Sequence, residues 1–156
     1  MKIAIGADHA GYELKEKIKQ RLAQEGNDVH DKGTNSTESV DYPDFARLVG
    51  EEVARKDADL GVLVCGSGIG MSIAANKVQG VRAAHVTNMY EAQMAREHNN
   101  ANVVTVGSRV LDEWTAIQAV ETFLHTPFAG GRHERRVQKI MDIDTRSRRT
   151  PPDRRS

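Results

Sequence analysis

The single cysteine of the chain, Cys65, stands between an apolar run and three alternating glycines, Gly66, Gly68 and Gly70. Glycines directly after a strand let backbone N–H groups approach a ligand closely, and the start of a following helix favours negative charge. The pKa of such a thiol is expected to fall below its free value of about 8.5, so the thiolate can act as a base or nucleophile. The alternative is a small buried side chain that closes a strand. Since core filling does not require three alternating glycines, we favour a reactive thiol.

Other chemically capable side chains follow the predicted strands at similar positions. Asp8 and His9 come directly after the first strand, Cys65 ends the third, and Arg109 follows the fifth. Ligands of open parallel sheets bind beyond the carboxyl ends of the strands, so these four residues are expected on one rim. Asp8 and His9 suit a sugar hydroxyl or a phosphate there, while Asp8 is equally suited to cap the first helix.

The glycine turn does not match the nucleotide-binding motifs. Met71 stands where the third glycine of G-x-G-x-x-G would fall, and the following strand ends in Val86-Thr87 without an acidic residue. A P-loop would require Lys and then Ser or Thr after its last glycine, whereas Met71 and Ser72 follow Gly70. What remains is a turn whose backbone N–H groups can meet an anion at a helix N-terminus.

Two further polar groups lie in the second half of the chain. His98 and Asn99 follow a predicted helix, where a C-terminal cap is the simpler interpretation, and catalysis requires His98 to face the rim of its own or a neighbouring subunit. Arg132 and Arg136 are four residues apart, so on a helix they project from one face and suit a phosphate; a solvated basic helix is the alternative. The residue spacings of zinc sites are absent from the sequence, and we predict no metal.

The elements that must position these residues alternate along the chain. Short β-branched runs predict strands at 2–7, 29–31, 59–65, 82–86 and 102–107. Amphipathic segments predict crossover helices between them. The first ends near Gly26, and Asp41 caps the second, which Pro43 opens. Three more begin near Ser67, Asn88 and Asp112. Five parallel strands joined by helices make a doubly wound, Rossmann-like α/β fold.

The end of the chain differs in composition. A basic helix is predicted from Arg132 to about Ile143, while residues 145–156 are polar, basic and interrupted by prolines, which predicts a frayed tail. We therefore divide the chain into one domain at 1–144 and a tail at 145–156. A solvated tail is favoured over nucleic-acid binding, because no aromatic side chains lie among its arginines.

The overall composition argues against several classes of protein. With 22 basic and 22 acidic residues among 156, no net charge draws the chain to nucleic acid or to an anionic membrane. One cysteine forms no internal disulfide and the start lacks the apolar stretch of a signal peptide, so we predict a cytoplasmic protein. No apolar run approaches the roughly 20 residues that span a bilayer.

Seven short motifs occur in order along the chain. They are Asp8-His9-Ala10-Gly11, Asp31-Lys32-Gly33-Thr34, Asp41-Tyr42-Pro43, the block from Cys65 to Lys77, His98-Asn99, Gly107-Ser108-Arg109 and Gly130-Gly131-Arg132-His133. In these motifs the chain closely resembles type B ribose-5-phosphate isomerases, a family that also holds galactose-6-phosphate isomerase subunits. The resemblance implies interconversion of ribose 5-phosphate and ribulose 5-phosphate through an enediolate, in the pentose phosphate pathway, without metal or organic cofactor.

The resemblance also implies roles for individual residues. Cys65 matches the base that moves a proton between two carbons, and Ser67, where many relatives have Thr, matches the group that relays a proton between oxygens. Asp8 and His98 match the residues that open the furanose ring, with His98 and Asn99 supplied by the other subunit of a homodimer, which could pair further into a tetramer. The remaining matches bind substrate: the backbone of Gly66, Gly68 and Gly70 at the oxyanion, His9, Arg132 and Arg136 at the phosphate, Arg109 as a weaker candidate there, and Tyr42 along the sugar.

Two other functions stay open on the sequence. An isomerase of a phosphorylated hexose, such as allose 6-phosphate or galactose 6-phosphate, has the same chemistry, and the sequence does not set the length of the pocket. A non-catalytic nucleotide or phosphosugar sensor would bind without isomerisation, and Cys65 would then be replaceable by Ala without loss of function.

Overall fold

Strands and helices alternate through residues 1–149, which the computed structural model describes, with side chains for 1–145. The strands are β1 (Lys2–Ala7), β2 (Asp28–Asp31), β3 (Leu60–Cys65), β4 (Ala83–His85) and β5 (Val103–Gly107). The helices are α1 (Tyr12–Gln24), α2 (Tyr42–Ala54), α3 (Ile69–Ala75), α4 (Met89–Glu97), α5 (Glu113–His125) and α6 (Arg132–Arg149).

The five strands form one parallel sheet in the order β2-β1-β3-β5-β4. From β1 the chain runs outward to β2 and then returns to the other side of β1 as β3, so the loops after β1 and β3 lead to opposite faces. Such a switch point leaves a crevice at the carboxyl edge of the sheet. Cys65 pairs with Gly107 at that edge, which places the ends of β3 and β5 side by side.

Helices cover both faces of the sheet and build two cores. On one face α1, α4 and α5 pack against alternate residues such as Val62 and Val64. On the other face α2 and α3 pack against the intervening residues, including Leu63 and Cys65. Burial on both faces explains why the central strands are apolar throughout instead of alternating with polar residues.

Most predicted elements are confirmed, including the doubly wound fold and the bounds of β1. Asn88 and Asp112 cap α4 and α5, each accepting a backbone N–H, from Glu91 at 2.8 Å and from Thr115 at 2.7 Å. The interpretation of Asp41 as a cap is wrong in one respect. Asp41 occupies the N-cap position of α2, but its side chain makes no capping hydrogen bond.

Several predicted boundaries differ from the structure. β2 begins one residue earlier, at Asp28, and β3 and β5 begin one residue later, at Leu60 and Val103. β4 begins at Ala83, one residue later than predicted, because the N–H of Arg82 donates to the side chain of Asn102 at 2.7 Å, and it ends at His85. α6 runs beyond Ile143 to Arg149, and the sequence places no glycine or proline between Arg132 and Arg149 to end it. Of the predicted tail, 150–156 lies outside the described residues. None of the helices within 1–149 is long and apolar enough to cross a membrane.

Candidate active site

A cleft of about 340 Å³ opens at the carboxyl edge of the sheet, among the ends of β1, β3 and β5. It lies at the switch point of the fold, where the loops after β1 and β3 diverge. The residues that line it are Asp8, Tyr42, Cys65, Gly66, Ser67, Gly70, Arg109 and Val110. The structure thus brings the acid, the thiol and the guanidinium group that follow three different strands into one cleft.

The thiol of Cys65 lies at the base of this cleft, and the residue is 4 % exposed. The backbone N–H of Gly68 donates to its Sγ at 3.1 Å. This contact ties the sulfur to the backbone of the glycine turn, three residues further along the chain. The carbonyl of Gly68 in turn accepts the hydroxyl of the fully buried Thr105 at 2.8 Å, which fixes the turn.

Gly68 requires glycine for both conformation and space. Its φ of +83° lies in the left-handed region, which L side chains rarely adopt. A Cβ there would also lie 2.7 Å from the ring of His85 and 2.9 Å from the carbonyl carbon of Val106. The position of the N–H that meets Cys65 therefore depends on the absence of a side chain at Gly68.

The neighbouring glycines make room for the side chains that border the cleft. A Cβ on Gly70 would lie 2.7 Å from the ring of Tyr42, and one on Gly66 would lie 3.1 Å from Nη1 of Arg109. Between them, the hydroxyl of Ser67 faces the cleft and accepts the N–H of Ile69 at 3.2 Å. The alternation of glycines seen in the sequence thus lets an aromatic ring and a guanidinium group approach the loop from two sides.

Asp8 combines the two roles that the sequence left open. Its Oδ1 accepts the N–H of Gly11, the N-cap residue of α1, at 3.0 Å, so it closes the turn that leads into the helix. The same buried residue lines the cleft together with Cys65 and Arg109. His9 follows beside the cleft, where its Nδ1 accepts the N–H of Val40 at 3.1 Å.

His98 and Asn99 lie at the other edge of the sheet. α4 begins after the carboxyl end of β4 and runs back, so His98, its C-cap, precedes the amino end of β5. β5 has five residues, which rise by about 3.3 Å each, so its amino end lies roughly 13 Å or more from Gly107. Since Gly107 pairs with Cys65, this edge is separated from Cys65 by the same distance. One chain therefore does not bring His98 and Asn99 to the cleft.

Arg132 and Arg136 belong with His98 and not with His9. They lie in the first turns of α6, where the ring of His133 stacks on that of His98 with centroids 4.3 Å apart. Partial burial and the positive charges of His98, Arg132 and Arg136 hold the pKa of His133 below its ordinary value. The three residues predicted to bind phosphate are thus far apart within one chain. His9 lies near the cleft, and the two arginines, both exposed, lie at the far edge of the sheet.

A second concave surface accompanies His98 and Asn99. It is a groove of about 740 Å³ between α6 and the amino edge of the sheet, and we call it the α6 groove. Ile140, Ile143, Val81 and Asn99 are among its lining residues. α3 begins beside the Cys65 loop and exposes Ile69 and Ile73 by 54 % and 60 %, and the residues that follow it, Asn76 and Lys77, line the groove.

Sequence reasoning missed two residues of these sites. Val110 lines the cleft, and its place directly after Arg109 at a strand end was a usable signal. His133 stacks on His98, which no spacing in the sequence announces because 34 residues separate the two in the chain. Within residues 1–149 no group of three or more His, Cys, Asp or Glu side chains is arranged to hold a metal ion.

Comparison with known proteins gives consistent matches over nearly the whole chain. Residues 3–140 match the family model described as Ribose/Galactose Isomerase. Ribose-5-phosphate isomerase B of Escherichia coli is 46 % identical over 145 residues, 93 % of this chain and 97 % of that protein. The structure of ribose-5-phosphate isomerase B from Clostridium thermocellum matches with a TM-score of 0.93 at 50 % identity, covering 94 % of this chain and 99 % of that one. That of the Mycoplasma genitalium enzyme with bound ribulose-5-phosphate gives a TM-score of 0.89 at 44 % identity, covering 92 % and 96 %.

Proposed function

Because the chain belongs to the ribose/galactose isomerase family, we propose that it interconverts ribose 5-phosphate and ribulose 5-phosphate through an enediolate. The observation that carries the proposal is the thiol of Cys65 in a cleft at the switch point, with the N–H of Gly68 on its sulfur. Proton abstraction next to a carbonyl needs a base that ionises near neutral pH and donors for the oxyanion that forms. The loop offers the thiol of Cys65 as the proton acceptor and backbone N–H groups as the donors.

Cys65 is the base in this proposal. Its thiolate removes the hydrogen of C2 as a proton, the electrons of that bond form the double bond between C1 and C2, and negative charge moves to the carbonyl oxygen. Backbone N–H groups from Gly66 to Gly70 stabilise that oxyanion, an effect of about 3 kcal/mol for a good donor. The hydroxyl of Ser67 passes the proton of O2 to O1, and the thiol returns its proton to C1, which regenerates the thiolate.

The sugar must first open from its furanose ring. Asp8, buried in the cleft, and His98 are proposed to move the protons of this step, with Asn99 beside them. Tyr42 lies along the sugar, and His9, Arg132 and Arg136 hold the phosphate, with Arg109 as a further donor. Since His98, Asn99 and the two arginines lie at the far edge of their own chain, the complete site needs these four from a second copy.

Two surfaces of the chain support a homodimer of this kind. Ile69 and Ile73 project from α3 beside the Cys65 loop, and the α6 groove with its Ile140 and Ile143 lies beside Asn99. Exposed apolar patches of this kind mark sites of association. In a two-fold dimer each α3 fills the α6 groove of the partner, and both sites are completed by the same contact.

The activity is tested by incubating the purified protein with ribose 5-phosphate and measuring ribulose 5-phosphate. We expect turnover without added metal or cofactor, and unchanged rates after prolonged treatment with a chelator. A clear preference for allose 6-phosphate or galactose 6-phosphate would overturn the choice of substrate. Binding without isomerisation would overturn the enzymatic function.

The shared site is tested by combining two inactive variants. Cys65→Ala lacks the base of one half-site and His98→Ala lacks the ring-opening residue of the other, so each homodimer is expected to be inactive. Heterodimers formed by co-expression contain one site with both residues intact, and random pairing restores about a quarter of the normal number of sites. If both residues of a site came from one chain, the mixture would stay inactive.

The proposed setting is a reducing one, such as the cytoplasm, because the base must remain a free thiol. Cys65 is a free, buried cysteine that borders the cleft, and oxidation of its thiol would remove the group that carries the proton. Loss of turnover on treatment with peroxide, with recovery by a thiol reductant, is the expected behaviour of the purified enzyme.

A further inference from the structure

Lys15 is a completely buried lysine for which the proposed reaction has no use. Its ammonium group donates to both oxygens of Asp31, at 2.7 and 2.8 Å, and to the carbonyl oxygen of Thr34 at 2.7 Å. Glu16 lies 3.2 Å away, and the ring of Tyr12 lies 5.4 Å from the ammonium nitrogen. Burial of a charge is costly unless it is paired and hydrogen-bonded, and apolar residues of similar volume often fill such a space at less cost.

The groups that Lys15 holds belong to the turn after β2. Asp31 accepts the N–H of Gly33 at 2.9 Å, which tightens the turn. The carbonyl of Gly33 accepts the N–H of Ala7 at 2.7 Å, and the N–H of Thr34 donates to the carbonyl of Ala7 at 2.8 Å. The turn is thereby fixed to the last residue of β1, directly before Asp8 and His9.

The loop that starts from this turn also returns to His9. The N–H of Val40 donates to Nδ1 of His9 at 3.1 Å. Because Nδ1 accepts this bond, the neutral ring carries its proton on Nε2, which leaves Nε2–H as the donor available to an anion. Two residues further on, Tyr42 begins α2 and places its ring against Gly70.

We propose that Lys15 is a positioning residue for the phosphate side of the active site. Its ammonium group fixes the turn 31–34, and the turn fixes the start of the loop whose far end, at Val40, selects the tautomer and orientation of the His9 ring. The inference rests on the proposed function, in which His9 binds the substrate phosphate. An ion pair that served stability alone would leave phosphate binding unchanged when it is removed.

The test replaces Lys15 by Met, which keeps the length and apolar stem of the side chain without the charge. We expect inorganic phosphate, followed by 31P NMR, to bind about tenfold more weakly and the KM for ribose 5-phosphate to rise about tenfold. This is the effect of losing one well-oriented hydrogen bond to a charged group. The kcat is expected to change less than about threefold, because Cys65 and its loop lie on other elements. Assays are run at a temperature where far-UV circular dichroism shows the variant fully folded.

Lys19→Met is the matched control. Lys19 also pairs with Asp31, at 2.8 Å, and with Glu16, at 2.9 Å. Within residues 1–149 it makes no hydrogen bond to the backbone of the turn, which Lys15 holds through the carbonyl of Thr34. Phosphate binding and KM are expected to stay within about twofold of the wild type, the range of a partly exposed pair. An equal loss of phosphate binding in both variants would trace the effect to the positive charge beside Asp31. It would not depend on the hydrogen bonds of Lys15 to the turn, and the proposal would be overturned.

The ring of His9 provides a readout independent of turnover. In wild-type protein at about pH 8, where imidazoles are neutral, the 15N shifts of His9 are expected to show Nε2 protonated, and Lys15→Met is expected to give a mixture of tautomers. If only the stability of Lys15→Met changes, with His9 shifts and phosphate binding unaltered, Lys15 is a structural residue and the proposal fails. Should Lys15→Met not fold, Asp31→Asn weakens the same contact and is subject to the same criteria.

Failure of this inference is distinguishable from failure of the proposed function. If wild-type protein binds phosphate through His9 but does not isomerise ribose 5-phosphate, the proposed function is wrong while the Lys15 measurements still apply. If it isomerises the sugar and Lys15→Met binds phosphate normally, the function stands and the role of Lys15 is refuted.

Discussion

The imidazole of His98 lies flat on that of His133, with the ring centroids 4.3 Å apart and the planes inclined by 13°. His98 ends α4 and His133 lies in the first turn of α6, so the stack joins two helices at the amino edge of the sheet. The lowered pKa of His133 keeps it neutral beside Arg132 and Arg136. In the proposed mechanism, a neutral ring at His133 holds the ring of His98 in place without adding a positive charge beside it.

His133→Ala is therefore expected to lower kcat for ribose 5-phosphate about three- to tenfold, the worth of one aromatic stack. His133→Phe keeps a flat ring in place and is expected to retain most of the activity. Steady-state kinetics on both variants provide the check, and a loss in the Phe variant equal to that in the Ala variant would show that stacking is not the reason.

Cys65→Ala is expected to bind substrate with little change and to lose kcat by about a thousandfold, within the range of general acid–base catalysis. Substrate affinity is measured by calorimetry, since turnover will be too slow for a reliable KM. When the wild type reacts in heavy water, deuterium should appear at C1 of ribulose 5-phosphate. The amount depends on how far the proton on the thiol exchanges with solvent before it is returned to the sugar. Turnover retained in the Ala variant would remove Cys65 from the mechanism.

Gly68→Ala is expected to lower kcat strongly because its Cβ would meet the ring of His85 and the backbone of Val106, displacing the N–H that donates to Cys65. Gly80→Ala is the matched control. Its φ of +91° imposes the same kind of backbone strain, but the nearest atom to a Cβ there is 3.5 Å away. The control is expected to lose about 1 kcal/mol of stability and keep its kcat.

Equal losses of kcat in Gly68→Ala and Gly80→Ala would trace the effect to general destabilisation. Urea unfolding of the two variants, measured beside their kinetics, separates these outcomes.

Arg136→Ala is expected to raise the KM for ribose 5-phosphate about tenfold or more, the effect of losing a charge-assisted hydrogen bond to phosphate, with a small change in kcat. Arg135→Ala is the natural control, since Arg135 is the adjacent exposed arginine of α6 and turns away from that face. A comparable rise of KM in the control would point to the net charge of α6 and contradict a specific clamp.

The pH dependence of stability should contain a contribution from His30. Hydrogen bonds from its ring to Glu52 and Asp28 raise the pKa of His30, because they favour the charged imidazolium. Burial raises the pKa of Glu52, but its contacts with His30 and Lys32 outweigh this and lower it. A histidine whose pKa is higher in the folded than in the unfolded state stabilises the fold. This stabilisation is fully present at pH values below the unfolded-state pKa of about 6.5, and it is lost as the pH rises through the folded-state pKa.

His30→Gln is therefore expected to be less stable than the wild type at about pH 5.5 and to approach it at about pH 8.5. Urea unfolding at several pH values gives the difference in free energy of unfolding. The same measurement on His125→Gln serves as the control for replacing a histidine at an exposed position. A difference that grows with rising pH would contradict the assignment.

Local features of the sequence were sufficient for most of the fold. β1 follows its apolar run, and Asn88 and Asp112 cap their helices through contacts within three residues. Such contacts depend on neighbours along the chain, which sequence patterns report directly. The short β4 could not be foreseen, because it depends on the side chain of Asn102, some twenty residues away.

By itself the sequence determined the parallel α/β fold and the gathering of Asp8, Cys65 and Arg109 on one rim, because strand ends follow from apolar periodicity and parallel strands end at one edge. Tertiary structure alone decided what surrounds them: Tyr42 against Gly70, Arg109 against Gly66, and His98 stacked on His133 at the far edge. These are contacts between segments distant in the chain, and their geometry depends on how helices pack across the sheet, which no local pattern encodes.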